Sequence, residues 1–226
     1  MPTVGGIVVS TGIEAGGRRS FLEVIDELAR PIDASDTTVR ALAADAFRAA
    51  VRTMNRKGLW SWEIQTENIT QTANSPYTTI TGAIKKPLAM YYLDSNSLPW
   101  ERIGYTEYDT LVNTCDLSLP GRPWCYSVPN MFETGQIRWH PIPDRAEACQ
   151  LTYYRVTPAP RDEAEPVEVP DFAIEAYMAF AWYEMAKRTP AMQKWLPLNI
   201  AKADAMLAFR ELSAHVNVPG DREQYG

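Results

Sequence analysis

The chain has 226 residues, 46% of them hydrophobic, enough to bury a substantial core as one domain with an insertion or as two small ones. A net charge of −6 and a pI of about 5.1 give a field that repels polyanions, which argues against free-standing DNA binding. Three scattered cysteines without a Cys-x-x-Cys pair do not make a disulfide framework, and no apolar run approaches the roughly 20 residues of a membrane span.

Residues 1–19 contain Gly5, Gly6, Gly12, Gly16 and Gly17 with short apolar pieces between them, and lack the positive start and long apolar core of a secretion signal. Ordering such a segment costs more backbone entropy than it recovers alone, so an arm that is free or borrowed by a neighbour is expected. Ser20-x-x-Glu23 is a capping-box pattern ahead of Phe21, Ile25 and Leu28, and Pro31 stops that short helix. Ser35 or Asp36 starts a stronger helix in which Val39, Leu42, Ala43, Ala46, Phe47, Ala50, Val51 and Met54 repeat at three and four, up to Gly58.

From Leu59 the period changes to alternation. Trp60, Trp62 and Ile64 against Ser61, Glu63 and Gln65 predict a half-buried strand. Further strands are expected at 78–81, 88–93, 101–105 and 124–127, with turns at 74–76, 86–87, 96–99 and 120–121 and a helical turn within 106–112. The aromatic and proline-rich run 119–156 predicts a β-hairpin, strand 136–139 and strand 149–156 separated by Pro141, Pro143 and Asp144. Residues 158–170 read as an acidic, Pro-rich linker. Asp171 then caps a third helix to about Arg188 that is apolar nearly all round and should be central, and a fourth runs from about Leu198 to Ala214. Residues 215–226 read as a tail without structure of its own.

The expected class is α+β: a four-helix bundle-like helical domain (20–58 plus 171–214) carrying an inserted antiparallel β-sandwich or barrel-like domain (59–157), with extended termini.

Little in the chain points to chemistry. A nucleophile needs a base beside it, and only His140 and His215 exist; His140, between Trp139 and Pro141, reads as a turn residue. No nucleophile elbow, phosphate loop or dinucleotide fingerprint is present, and no cofactor is expected. Asp162, Glu163, Glu165 and Glu168 could attract a cation, but a solvated linker is the simpler reading. A two-carboxylate glycosidase stays open as an alternative, with Glu63 or Glu133 as candidates. Arg48, Arg52 and Arg56 form a basic strip that is either a solvated face or an intersubunit contact to an acidic neighbour such as 162–168, or a wall facing DNA. Seven Trp and eleven Tyr suit interfaces as well as cores, which favours an assembly protein as a group.

Several motifs in order carry a family resemblance: the helix ending at Gly58-Leu59-Trp60, Gly121-Arg122-Pro123-Trp124, Trp139-His140-Pro141-Ile142-Pro143-Asp144, Leu151-Thr152-Tyr153-Tyr154-Arg155 and Val169-Pro170-Asp171-Phe172. Together they resemble the head-to-tail adaptor (tail accessory factor) proteins of short-tailed phages, over roughly residues 20–214. The resemblance implies a non-enzymatic virion protein, made in the host cytoplasm. Such a protein forms a dodecameric ring between the portal and the tail nozzle or fibres, sealing and guiding the DNA channel without reading sequence. It further implies that the helices and the tail, through Val216, Val218, Arg222 and Tyr225, face the portal. The alternative from another class is a β-sandwich module binding a carbohydrate or peptide through exposed rings.

Overall fold

The computed structural model describes residues 19–194 and 197–216. Its described residues fall into two compact units, a helical one (19–62 with 157–216) and a sheet one (63–156). The fold class is α+β with an inserted sheet.

In the helical unit, α1 (Phe21–Ala29) opens with the full capping box: the Glu23 amide donates to Ser20 Oγ and the Ser20 amide to Glu23 Oε2. The two helical amides before Glu23 are also satisfied, Phe21 N–H by the Glu165 carbonyl and Leu22 N–H by the Glu163 carbonyl, each at 2.9 Å. The acidic segment expected to be a solvated linker is therefore a strap across a helix N-terminus, where carbonyls meet otherwise orphaned donors. Its Val167 and Val169 are buried in the helical core. The strap is held from α2 (Thr37–Lys57) as well. Asn55 donates through Nδ2 to the Thr157 carbonyl (2.9 Å) and accepts from the Thr157 amide (3.1 Å). Arg48, two turns earlier on the same face, donates to the Pro160 and Arg161 carbonyls.

Helix α2 is capped by Asp36, and its buried face, Ala43, Ala46, Phe47, Ala50 and Met54, follows the expected spacing. Gly58 follows it in extended backbone rather than in a left-handed cap. A Cβ at this position would lie 2.8 Å from the Trp60 ring, so close approach is what the glycine serves. That ring explains a correction at the domain joint. Residues 61–63 form a 3-10 turn instead of a strand, and Trp60 and Trp62 stack at 5.2 Å in the helical unit, with the Trp60 indole donating to the Met54 carbonyl. Alternation in Trp60-Ser61-Trp62 thus reflects a turn that returns two rings to one helix end. Chain contacts divide at 62/63 instead of 58/59.

The sheet unit contains β1 (Ile64–Thr70), β2 (Tyr77–Thr79), β3 (Ile84–Leu93), β4 (Pro99–Tyr105), helix α3 (Tyr108–Thr114), β5 (Pro120–Gly121), β6 (Cys125–Ser127), β7 (Gln136–His140), β8 (Ile142–Pro143) and β9 (Ala148–Arg155). Seven strands form one curled sheet in the order β1-β9-β3-β4-β6-β7-β2. The expected hairpin does not form. β7 pairs with β6 and β2, whereas β9 pairs antiparallel with β1 and β3. Two partners satisfy both edges of β9 and bury Cys149, Leu151 and Tyr153, which local closure onto β7 would leave half paired. Residues 86–87 are likewise no turn: they lie in β3, where the pairing with β9 shifts register on both sides of Lys86 and Pro87, and a proline sits where the ladder is already broken. Residues 120–121 form the short β5, which pairs in parallel with β8. One further parallel pair, β4 with β6, breaks the antiparallel pattern, and the crossover it requires is supplied by the 106–124 segment with α3.

Back in the helical unit, α4 (Asp171–Arg188) packs on α2, α1 and α5 (Leu198–Val216) and buries Ala173, Ile174, Tyr177, Ala181 and Met185. Pro170, not Asp171, holds its N-cap position, without a side-chain hydrogen bond; Asp171 lies one place inside, favourable to the helix dipole. A 3-10 turn (Pro190–Lys194) follows, and the Pro197 carbonyl accepts from the Ile200 and Ala201 amides in the first turn of α5.

Candidate interaction surface

A fixed frame of aromatic side chains develops in the sheet unit from a turn and a cation. Between β3 and β4, Asp94 Oδ1 accepts from the amides of Asn96 and Leu98, each at 2.8 Å, and Ser97 takes a positive φ of 62°. The turn delivers Leu98 and Trp100 to the start of β4, where both are exposed. Arg122, in the segment after β5, reaches this strand and the foot of β9 together. Its Nη1 lies 2.6 Å from Glu101 Oε2 and its Nε 3.0 Å from Glu147 Oε2. The guanidinium carbon stands 4.0 Å from the Tyr92 ring centroid and 5.1 Å from that of Trp100. Burial works against the Arg122 charge, but the hydrogen bonds and charges of Glu147 and Glu101 outweigh it and raise the pKa.

Tyr92 locks the other side of the segment. Its hydroxyl donates to the Pro123 carbonyl at 2.7 Å, and burial pushes its pKa up to about 12. One residue later Trp124 accepts at its carbonyl from Gly104 N–H (3.0 Å), packs edge-on to His140 and leaves its own ring 60% exposed; Trp100 is 58% exposed. Large rings held in place by a stacked, doubly ion-paired arginine lose little entropy when a partner covers them. Leu119 and Tyr105 add exposed apolar surface on the same strands and connection.

Glu63 is 1% exposed and its Oε2 lies 2.6 Å from Lys85 Nζ, itself buried; burial lowers the Lys85 pKa, and the Glu63 charge opposes this. A carboxylate enclosed with an ammonium is built for structure, not for meeting a glycosidic oxygen. Glu133 is exposed in the loop before β7. His140 is 4% exposed on β7, opposite Cys125 in the β6 register and edge-on to Trp124. Burial lowers its pKa, helped by Arg138, and burial raises the Cys125 thiol. A neutral thiol that makes no hydrogen bond to the imidazole lacks what a nucleophile–base pair requires.

In the basic strip, Arg48 is engaged within its own chain, on the Pro160 and Arg161 carbonyls, on Asp45 and over the Phe21 ring at 5.1 Å. Within the chain Arg48 thus serves to hold the strap. Arg52 and Arg56 are exposed. Glu163 lies 3.9 Å from Arg40, and the Glu165 carboxylate accepts from the Arg161 amide, so the acidic strap is tied by its own neighbours. Among the described residues no group of three His, Cys, Asp or Glu is placed to hold a metal ion, and no helix is long and apolar enough to cross a membrane. Residues 1–18 lie outside the described residues, as do Val218, Arg222 and Tyr225; Val216 ends α5, and its side chain and that of His215 are outside the description.

No family model matches this chain, and neither does any curated protein. Among solved structures it is similar to a chain of the neck of an empty GTA particle computed with C6 symmetry. The identity is 15% and the TM-score 0.31, over 77% of this chain and 81% of that one.

Sequence reasoning picked out the Gly121-Arg122-Pro123-Trp124 motif without finding its partners. Glu101 and Glu147 stand 21 and 25 residues from Arg122, on strands whose neighbours are set by topology. The one available signal was the excess of tryptophan.

Proposed function

We propose that this chain is a structural subunit of a virion neck, a head-to-tail adaptor that works without catalysis. The observation that carries the reading is the pair of tryptophans at the Arg122 segment, each more than half exposed: Trp100 under the Arg122 guanidinium, which Glu101 and Glu147 pair, and Trp124 next to Pro123, whose carbonyl Tyr92 holds. The ordered motifs that resemble the adaptor proteins of short-tailed phages support it, since Arg122 and Trp124 belong to one of them. In this reading the subunits close into a ring, dodecameric by the resemblance, between portal and nozzle, with the frame at a contact and DNA passing through the channel unread. The different chemistry of the helical and sheet units suits a ring that must offer unlike surfaces to the head and to the tail.

The test is assembly. Full-length chain is mixed with portal protein and examined by sedimentation velocity and negative-stain microscopy, beside the Trp100→Ala/Trp124→Ala variant. A closed ring for the parent, at least tenfold weaker assembly for the variant and an unchanged melting curve are expected. A ring formed equally well by the variant overturns the role of the frame. A monomer under every condition that binds soluble glycan through the same two rings would replace the adaptor by the binding module.

A further inference from the structure

The seven-stranded sheet ends on two unlike edges, β1 and β2. β2 is three residues long and offers little to pair with. β1 runs for seven residues in unbroken register with β9. Proline, lysine and bulges usually blunt an edge strand, and β1 has none of them.

The direction of its backbone groups follows from one bond. Gln71 N–H donates to the Glu147 carbonyl at 2.9 Å, which continues the register one pair beyond Thr70 and Ala148. Hydrogen-bonded pairs alternate along an antiparallel ladder, so Gln65, Glu67 and Ile69 bond to β9, whereas the amides and carbonyls of Ile64, Thr66, Asn68 and Thr70 point away from it. Among the described residues no hydrogen bond reaches those groups.

The side chains divide in the same way. Thr66 meets Thr152 and Asn68 meets Gln150 on one face, each at 3.1 Å, while Gln65, Glu67 and Ile69 stand beside Tyr153, Leu151 and Cys149 on the core face. Glu67 is thus an inward-facing, partly buried carboxylate at the rim of an apolar core. The Tyr153 hydroxyl lies 3.3 Å from its Oε2, and no cation among the described residues pairs with it. Burial raises its pKa in spite of that hydrogen bond.

Glu67 also selects the partner. It is the middle residue of β1, so two copies paired antiparallel along the whole strand would set carboxylate against carboxylate. A strand with Lys or Arg opposite Glu67 and an apolar residue two places away, opposite Ile69, meets both needs of this edge. We infer that β1 accepts an extended segment of another protein, added to the sheet edge with a basic side chain opposite Glu67. The outward backbone groups supply the affinity, and the Glu67 pair supplies the choice of sequence.

The probe is an end-blocked Thr-Val-Thr-Lys-Thr-Val-Thr peptide titrated into the full-length chain, with amide exchange followed by NMR. New protection is expected at Thr66, Asn68 and Thr70, with Gln65, Glu67 and Ile69 unchanged. Binding should be about tenfold weaker when Glu replaces the peptide's Lys, and Glu67→Gln should erase that preference. The same peptide N-methylated at its threonine amides keeps every side chain but cannot pair, and should not bind. Nor should the Lys peptide bind Thr66→Pro, which removes an N–H that serves no bond to β9. Equal binding of the Lys and Glu peptides, undiminished binding of the N-methylated one, or protection confined to other strands would each overturn the assignment. So would Thr66 and Asn68 amides already slow in the free chain, or no binding of the Lys peptide.

Discussion

Replacing Glu63 by Gln tests whether the buried pair with Lys85 is structural. The two side chains are 1% and 2% exposed and 2.6 Å apart, so neither is screened by water. Removing one partner of a buried pair costs about 3–5 kcal/mol, because the other is left charged in a poor solvent. The ceiling comes from proton loss. Taking Lys85 from its ordinary pKa of 10.5 to neutrality at pH 7 costs about 1.4 kcal/mol for each of some 3.5 units, roughly 5 kcal/mol. The sign of the pH dependence follows. Burial lowers the Lys85 pKa in the folded chain, so between that value and 10.5 the unfolded chain holds a proton that the folded chain has shed, and stability rises with pH. Without the Glu63 charge this window opens at lower pH. The deficit of Glu63→Gln should therefore be largest near neutrality and shrink by about 1.4 kcal/mol per unit in the alkaline range until the parent also sheds its proton. Urea unfolding followed by the circular dichroism of the sheet, at intervals from pH 7 to 10, measures it. A loss below about 1 kcal/mol, or one constant with pH, would refute the structural assignment, and the double replacement Glu63→Leu/Lys85→Met should recover most of the loss.

Two further substitutions probe close packing and the strap. A Cβ on Gly135 would run into the Gly82 carbonyl and lie 2.6 Å from the Ile80 carbonyl, backbone that cannot give way; Gly135→Ala should cost about 3 kcal/mol and lower Tm by roughly 6–12 °C in a thermal melt. Asn55→Leu removes both hydrogen bonds to Thr157 in a buried place and should cost about 2–4 kcal/mol by urea titration, with faster amide exchange through 157–167 as the mark of a loosened strap; unchanged exchange there would contradict the role given to Asn55.

The helices were legible because their signals are local. Ser20 with Glu23, Asp36 ahead of an alanine-rich stripe, and Pro31 as a stop all act within a turn or two, and α1 and α2 form where they say. The sheet was legible as strands but not as pairs. Period two marks β7 and β9 equally well whichever neighbours they take, and the proline-rich segment between them suggested a turn where the chain instead runs beside β5 as β8. Trp60 and Trp62 show the same limit: alternation over three residues is shared by a strand and by a tight turn that stacks two rings.

Charge was the least legible signal, and the strap shows why. Composition marks 162–168 as solvated because it counts carboxylates, but the atoms that hold this segment are its backbone: the Glu163 and Glu165 carbonyls on α1, and the Pro160 and Arg161 carbonyls under Arg48. Backbone acceptors carry no sequence signature, so an acidic stretch can be tied at every second residue while its side chains stay wet. The same holds for the arginines: Arg48, Arg52 and Arg56 look alike at a spacing of four, yet Arg48 alone lies where the strap passes. Neutralising Arg52 and Arg56 should therefore leave the strap intact, whereas Arg48→Ala should free it.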